Sequence, residues 1–340
     1  MASLEYRIQT IPFATQDYIS VKHGDARIDM YVTEPVAGVR ASTGFMLLIH
    51  GWGNDGHDAY ASESVEFADR YDLVVTRVEF RQCGREAGHP ATGETYDVPY
   101  DFSKLQTIDC LRAAYATLRR YPQIDRTRLL LWGGSQGGHL GAQCLVFAPH
   151  LWAMAVLTSG LFIPLTYAQS KAQGFSKDVS DRPDTGMGFV ELALGPGMSF
   201  DPAEEDIRNP YRNAAGMPTD IPIILIHGTH DDVVDIRHSM MLYARLKRLG
   251  RPVQFYAVEN GDHGLVWATF NDEDTRLKAT FKYAGETVRA ARRTGVALLP
   301  PNPVRIPVRG GVFEITYEQD APTLHWRPAV ETVHAVRNHA

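Results

Sequence analysis

The segment LLLWGGSQGGHLGAQCL, residues 129–145, decides the fold. Three leucines and a tryptophan lead directly to Ser135, which has glycines on both sides at positions 133, 134, 137 and 138. Glycine destabilises regular structure unless the backbone needs a positive φ or approaches another group closely. The apolar run, the glycine-flanked serine and the small residues after it predict a strand, a tight turn and a helix from Gln136, with the serine hydroxyl exposed at the turn.

Apolar runs and helical patterns alternate on both sides of this segment. Strands are expected at residues 27–35, 44–51, 72–80, 128–134, 152–160, 221–228 and 252–260. Helices are expected at residues 57–71, 101–121, 136–150, 237–250 and 272–295. Regular alternation of this kind predicts an α/β fold with a mostly parallel central sheet and helices on both faces.

Two regions lie outside the alternation. Residues 161–217 are rich in glycine and proline, and we expect a cap or lid insertion there. Its aromatic residues either roof the acyl pocket or form a small core of the insertion: Phe162, Tyr167, Phe175, Phe189 and Phe200. We therefore expect a catalytic domain over residues 1–295. Residues 296–340 form an extension, with a C-terminal β-hairpin turning at Gly310–Gly311 and a frayed tail over the last ten residues.

Composition excludes several classes of function. The net charge of −6, from 34 basic and 40 acidic residues, gives no electrostatic footprint for nucleic acid or an anionic membrane. Three cysteines without C-x-x-C spacing argue against a disulfide framework or a metal site. No basic stretch followed by an apolar one opens the chain, and no apolar run is long enough to cross a bilayer. The expectation is a cytoplasmic protein with no cofactor and no metal.

A serine hydroxyl needs a base before it acts as a nucleophile at neutral pH. Of the 13 histidines, His263 is the best candidate, because it follows the last expected core strand and has a glycine on each side at positions 261 and 264. His139 is nearer in sequence. His139 lies one helical turn beyond the serine, and we expect its side chain to point away from the strand end and to be structural.

The base in turn needs an orienting acid. Asp231 follows the strand of residues 221–228 at the same sheet edge as Ser135, and Asp232 is its rival. Asp235 has a simpler interpretation as the N-cap of the next helix. The order Ser135, Asp231, His263 is the order expected on this kind of fold.

Two backbone N–H groups complete the candidate site. The strand of residues 44–51 ends in His-Gly-Trp-Gly, where the N–H of Trp52 can turn toward the serine. With the N–H of Gln136, it would form an oxyanion hole, in which each donor contributes roughly 3 kcal/mol to the transition state. The alternative is a plain glycine turn with Trp52 in the core.

With these motifs assembled, the chain resembles the α/β-hydrolase superfamily, and within it the prolyl-oligopeptidase-like and acetyl-xylan-esterase-like branch. GGSQGG resembles the nucleophile elbow, GDHG the histidine loop and HGWG the oxyanion turn, and the spacing around THDDVV selects Asp231 over Asp232. The resemblance covers about residues 20–290. The branch often carries Arg-Gly-x-Gly after the third strand, whereas this chain keeps Arg81 and Gly84 but has Gln82 between them.

These features predict a serine hydrolase that cleaves a carboxylic ester of a small acyl substrate through an acyl-enzyme. The alternatives are a small oligopeptidase or amidase, and a catalytically silent binding protein on the same fold. The C-terminal hairpin would offer an edge strand to a second copy, which favours a homodimer.

Overall fold

A computed structural model describes residues 7–86, 99–175, 188–195, 197–265, 275–318 and 321–329. Its centre is an eight-stranded sheet in the order β1-β2-β4-β3-β5-β6-β7-β8. The strands are β1 Ile8–Ala14, β2 Arg27–Thr33, β3 Gly44–Ile49, β4 Leu73–Val78, β5 Leu129–Gly134, β6 Met154–Thr158, β7 Ile223–Gly228 and β8 Val253–Val258. In the order from β4 to β8 all neighbouring strands are parallel, whereas β2 runs antiparallel to both of its neighbours, β1 and β4.

Helices cover both faces of this sheet. They are α1 Ala61–Tyr71, α2 Lys104–Arg120, α3 Gln136–Phe147, α4 Tyr167–Ala172, α5 Phe189–Leu194, α6 Pro202–Ile207, α7 Arg237–Arg248 and α8 Thr275–Ala290. Successive strand residues point to opposite faces, so Leu47 packs in the cluster with α2, α3 and α7, and Leu48 in the cluster with α1 and α8. The α/β-hydrolase fold is therefore confirmed. None of the described helices has the length and apolar character needed to cross a membrane.

The insertion between β6 and β7 contains α4, α5, α6 and a 3-10 turn at Arg212–Gly216. Its aromatic residues have different surroundings. Phe162 is fully buried in the main core, and Phe175 packs against Ile163 and Leu165 in a cluster of its own. Phe189 and Phe200 join a third cluster near the end of β5. The side chain of Tyr167 lies outside the described part.

The C-terminal extension forms three antiparallel strands, β9 Val304–Val308, β10 Gly311–Glu318 and β11 Ala321–Pro328, in the order β11-β10-β9. The predicted hairpin corresponds to β9 and β10, whereas β11 was not predicted, and neither was β1. The small sheet lies against α2, where the Arg112 guanidinium donates to the Pro322 carbonyl oxygen at 2.9 Å. The tail expected to fray, residues 331–340, lies outside the described residues.

Arg81, which the resemblance compares with the Arg-Gly-x-Gly motif of the branch, lies in the segment between β4 and α2. Its guanidinium donates two hydrogen bonds of 2.7 Å to the Asp109 carboxylate, and both side chains are buried. A third donation reaches the carbonyl oxygen of Gln16 at 2.7 Å. In this structure Arg81 therefore holds together the segment that follows β4, and it is not among the residues around Ser135 described below.

Candidate active site

Ser135 occupies a sharp turn between β5 and α3. Its backbone has φ 59° and ψ −123°, in the positive-φ region that is costly for a residue with a side chain. The turn can form because the flanking glycines have no side chains. A Cβ at Gly133 would lie 2.1 Å from the Gly137 carbonyl oxygen, and a Cβ at Gly137 would lie 2.0 Å from the Ile49 carbonyl oxygen. The glycines on either side of Ser135 thus let α3 start directly against β5 and β3.

The structure brings Ser135, His263 and Asp231 together at this sheet edge. The His263 Nε2 lies 2.8 Å from the Ser135 Oγ, and its Nδ1 lies 2.9 Å from both carboxylate oxygens of Asp231. These residues follow β5, β7 and β8, whose carboxyl ends meet at the same edge. A serine hydroxyl in contact with an imidazole that is itself oriented by a carboxylate has the geometry needed for nucleophilic catalysis.

Asp231 is fixed by more than the histidine. Its Oδ1 accepts hydrogen bonds from the N–H groups of Val233 and Val234, at 3.0 and 2.8 Å. Its Oδ2 lies 3.0 Å from the Nε2 of His227, a fully buried residue and the second-last residue of β7. Sequence reasoning missed His227. The signal was its place in the same apolar strand, four residues before the acid.

The other two acids have different surroundings. Asp232 is exposed to solvent. Asp235 accepts a hydrogen bond from the backbone N–H of Arg237 at 2.9 Å and forms an ion pair with the Arg237 guanidinium. The N-cap position of α7 is Ile236, one residue after the expected Asp235. Only Asp231 of the three contacts His263 among the described contacts, in agreement with the choice that the resemblance made.

Burial and neighbouring charges shift the pKa values of this pair. Burial alone would raise the pKa of Asp231, but hydrogen bonds from His227 and His263 and their charge hold that pKa well below its usual range. Burial lowers the pKa of His263; Asp231 opposes that effect and Arg276 adds to it, and the pKa ends below the ordinary value of a histidine. The imidazole is therefore neutral at pH 7 and able to accept a proton, while the carboxylate stays ionised.

Trp52 and Gln136, the residues predicted to provide oxyanion donors, both line the cavity that Ser135 opens into. Gly51 lies directly against the serine, since a Cβ there would be 3.1 Å from the Ser135 Cβ. The Gln136 side-chain amide donates to the side-chain oxygen of Gln106, Oε1, at 3.0 Å, which fixes the first residue of α3. The oxyanion role of the two backbone N–H groups stays a prediction.

The cavity beside Ser135 has a volume of about 230 Å³ and a mostly apolar wall. The Trp52 indole stacks on Tyr100 with ring centroids 5.3 Å apart and lies 6.0 Å from the Phe189 ring. Six apolar side chains line the cavity: Trp52, Phe102, Leu161, Phe189, Val233 and Val234. Of the five aromatic residues named above for the insertion, Phe189 thus lines the pocket, while Phe162 and Phe175 belong to other apolar clusters.

His139 belongs to the wall of the same cavity. The expectation that it points away from the site was therefore wrong. The physical reason is that the chain after β6 turns back over the first turn of α3, where the Leu161 carbonyl oxygen accepts a hydrogen bond from the His139 Nδ1. The cavity wall therefore includes both Leu161 of that loop and His139.

One group of side chains has the composition of a metal site. The ligand atoms of Asp55, His57 and Asp58 lie within 4.8 Å of one another. Two of the three are exposed, and acidic surface groups commonly lie together without an ion. We assign no metal to them.

The family model for the prolyl oligopeptidase family matches residues 101–288, more than half of the chain and the part that contains Ser135, Asp231 and His263. The chain belongs to the prolyl oligopeptidase family. Its fold is accordingly that of the α/β-hydrolase superfamily. The acetyl-xylan-esterase part of the resemblance finds no support in these comparisons.

Among curated proteins, the chain is 25% identical over 263 residues to the uncharacterized peptidase YuxL of Bacillus subtilis (strain 168), which covers 76% of this chain and 35% of the relative. It is 26% identical over 152 residues to the uncharacterized peptidase YtmA of the same strain, covering 44% of this chain and 53% of YtmA. The chain therefore spans about a third to a half of the length of these relatives.

Solved structures show the same fold at lower identity. The uncomplexed acylaminoacyl peptidase of Pyrococcus horikoshii is 18% identical, with a TM-score of 0.60 over 85% of this chain and 42% of that one. A puromycin hydrolase is 18% identical, with a TM-score of 0.61 over 86% of this chain and 40% of that one.

Proposed function

We propose that this chain is a serine peptidase or amidase that cleaves an amide bond next to an apolar acyl group through an acyl-enzyme. The observation that carries the proposal is the continuous contact from the Asp231 carboxylate through His263 to the Ser135 hydroxyl. Membership in the prolyl oligopeptidase family and the peptidase relatives favour an amide substrate. They support the peptidase alternative of the sequence analysis better than its first choice, the carboxylic ester hydrolase.

In the proposed reaction, His263 accepts the Ser135 proton as Oγ attacks the acyl carbonyl carbon. Asp231 keeps the Nδ1–H directed toward itself and stabilises the imidazolium that forms. The N–H groups of Trp52 and Gln136 would hold the oxyanion. The imidazolium then gives its proton to the leaving amine, and water hydrolyses the acyl-enzyme by the same proton transfers.

A fluorophosphonate probe tests the nucleophile directly. We expect covalent labelling at Ser135 and its complete loss in Ser135→Ala. Ser159→Ala is the matched control, because it removes a neighbouring buried hydroxyl at the end of β6 that has no described contact with His263. Labelling that persists in Ser135→Ala, or no labelling of the folded protein, would overturn the proposed nucleophile and leave the binding-protein alternative.

The bond that is cleaved is tested with matched substrates. N-acyl aminoacyl p-nitroanilides and the corresponding p-nitrophenyl esters share one acyl group and differ in the leaving atom. We expect turnover of the anilides that depends on Ser135. Hydrolysis of the esters with no detectable anilide cleavage across a panel of apolar acyl groups would instead favour the carboxylic ester hydrolase.

A further inference from the structure

His139 lines the cavity, and its ring carries a hydrogen-bond acceptor that no protein group uses in the part of the chain that the structure describes. Its Nδ1 donates to the Leu161 carbonyl oxygen, an atom that can only accept. Burial lowers the pKa of His139 to about 4, so the ring is neutral at pH 7. In a neutral ring whose Nδ1 carries the hydrogen, Nε2 has a lone pair and no hydrogen.

The Nε2 atom is buried, and within the part of the chain that the structure describes no group hydrogen-bonds to it. The side chain as a whole is 1% exposed. A buried acceptor without a donor is costly, and such atoms in folded proteins are usually explained by a function or a ligand. The neighbouring ring of Phe102, with its centroid 5.6 Å away, offers no hydrogen to it.

Two other polar side chains of the cavity wall, Gln136 and Ser103, have partners within the protein. The Gln136 amide contacts Tyr100 at 3.1 Å and Gln106 at 3.0 Å. The Ser103 hydroxyl oxygen accepts from Gln143 at 3.0 Å. A ligand in this mostly apolar cavity would therefore meet an aromatic wall and, one helical turn after the nucleophile, the ring of His139.

We propose that His139 is a specificity-determining residue, and that the cavity takes an aromatic substrate side chain that ends in a hydrogen-bond donor, such as the phenol of tyrosine. This inference rests on the proposed function, because it names the acyl side chain that enters the cavity beside Ser135. The phenol hydrogen would be donated to the His139 Nε2. A side chain without that donor would leave the nitrogen unsatisfied, which is how a built polar site rejects an isostere.

Three substrates of nearly equal size provide the test: the N-acetyl p-nitroanilides of tyrosine, 4-fluorophenylalanine and phenylalanine. The fluorine fills the para position without a donor hydrogen. We expect kcat/KM for tyrosine to exceed both others by about tenfold, the effect of one hydrogen bond to an otherwise unsatisfied buried atom. Equal values, or a preference that follows size and includes the fluoro compound, would overturn the inference and leave the proposed function standing.

Two variants separate the two ring nitrogens. In His139→Asn the amide nitrogen takes the place of Nδ1 and can still donate to Leu161, whereas the acceptor at the Nε2 position is lost. His139→Gln places an amide group at the Nε2 position instead. The readout is the ratio of tyrosine to 4-fluorophenylalanine kcat/KM, in which effects common to both substrates cancel. We expect a ratio near one in His139→Asn and a retained preference in His139→Gln.

A binding measurement keeps the inference testable if no anilide is cleaved. Ser135→Ala is titrated with N-acetyl-L-tyrosinamide and with the amide of N-acetyl-4-fluorophenylalanine. We expect a Kd about tenfold lower for the tyrosine compound, and no such difference in Ser135→Ala combined with His139→Asn. Equal Kd values for the two compounds in Ser135→Ala would overturn the inference, whatever the enzyme hydrolyses.

Discussion

At the residue scale, His263 lies between groups that move its pKa in opposite directions. Burial lowers that pKa, the hydrogen bond and charge of Asp231 raise it, and the charge of Arg276 lowers it. The Arg276 guanidinium also donates to the His263 carbonyl oxygen and to the Tyr60 hydroxyl. One arginine thus fixes the backbone of the histidine loop and acts on the protonation of its ring.

The pH dependence of the reaction follows from this arrangement. Because only neutral His263 accepts the serine proton, kcat/KM rises with pH to a plateau, and we expect the midpoint below pH 6.5. Arg276→Gln removes a positive charge that disfavours the imidazolium, so the midpoint should move up. Lys278→Gln, an exposed change on the same helix, is the control. A wild-type midpoint above 6.5, or equal midpoints in both variants, would contradict the assignment.

Asp231 and Asp232 are neighbours in sequence with opposite environments, one buried against His263 and the other exposed. Asp231→Asn keeps the shape but can no longer hold the Nδ1 tautomer with a negative charge, and we expect kcat to fall by about 10⁴-fold. Asp232→Asn should leave kcat within about twofold, since a surface change away from the site has small effects. Comparable losses in the two variants would mean that the buried carboxylate has no special role.

At the element scale, the start of α3 depends on close backbone contact with β3. Gly137→Ala would place a Cβ 2.0 Å from the Ile49 carbonyl oxygen, so helix and strand must separate. We expect a loss of about 3 kcal/mol in the free energy of unfolding, at the upper end for overpacking, together with slower fluorophosphonate labelling because the Ser135 turn moves. At Gly216, where a Cβ would meet only a side-chain atom at 3.6 Å, the same change should have little effect. Urea unfolding of both variants measures the difference.

The contact between β4 and α2 depends on a buried charge. Asp109→Asn leaves the Arg81 guanidinium buried without its counter-ion, and we expect the free energy of unfolding to drop by about 3 kcal/mol or more. Glu66→Gln makes the same chemical change in the exposed pair with Arg70 and should cost no more than about 0.5 kcal/mol. Similar midpoints of chemical denaturation for the two variants would show that the buried pair does not hold these elements together.

Elements with a strong pattern could be predicted from the sequence. The strand β7 begins with four apolar residues, 223–226, because helices cover both of its faces, and every one of its residues is buried. The strands β1 and β11 lie at sheet edges, and most of their residues stay partly or fully exposed. β1 contains Pro12, and β11 carries Pro322 and Pro328, residues that argue against a strand when only the sequence is known.

At the scale of the whole molecule, one part of the candidate site could be predicted from the sequence and another part could not. Ser135, Asp231 and His263 follow β5, β7 and β8, which run parallel in one sheet, so the topology alone brings them to one edge. The cavity wall depends instead on how the chain after β6 folds back, which places Leu161 and Phe189 beside His139. No local pattern encodes that path, which is why the place of His139 on the cavity wall could not be predicted.

The domain boundary expected near residue 295 can be tested by its effect on the free energy of unfolding. Ile315 of β10 is fully buried in the apolar cluster that also contains Leu131 of β5 and Leu111 of α2, so the small sheet shares the core of the large one. Ile315→Ala should therefore lower the free energy of unfolding of the whole chain by about 3 kcal/mol, the usual cost of emptying a core position. Loss of fluorophosphonate labelling and the change in tryptophan fluorescence should follow one urea curve, shifted together.

The matched control is Thr316→Ala, at the next position of the same strand and only partly buried, which should move the curve by no more than about 0.5 kcal/mol. If residues after 295 instead folded as an independent unit, Ile315→Ala would unfold the small sheet at low urea while labelling of Ser135 survived to the wild-type midpoint. Two separated transitions would thus contradict a shared core. Coincident ones would mean that the catalytic edge and the C-terminal sheet gain their stability from the same buried side chains.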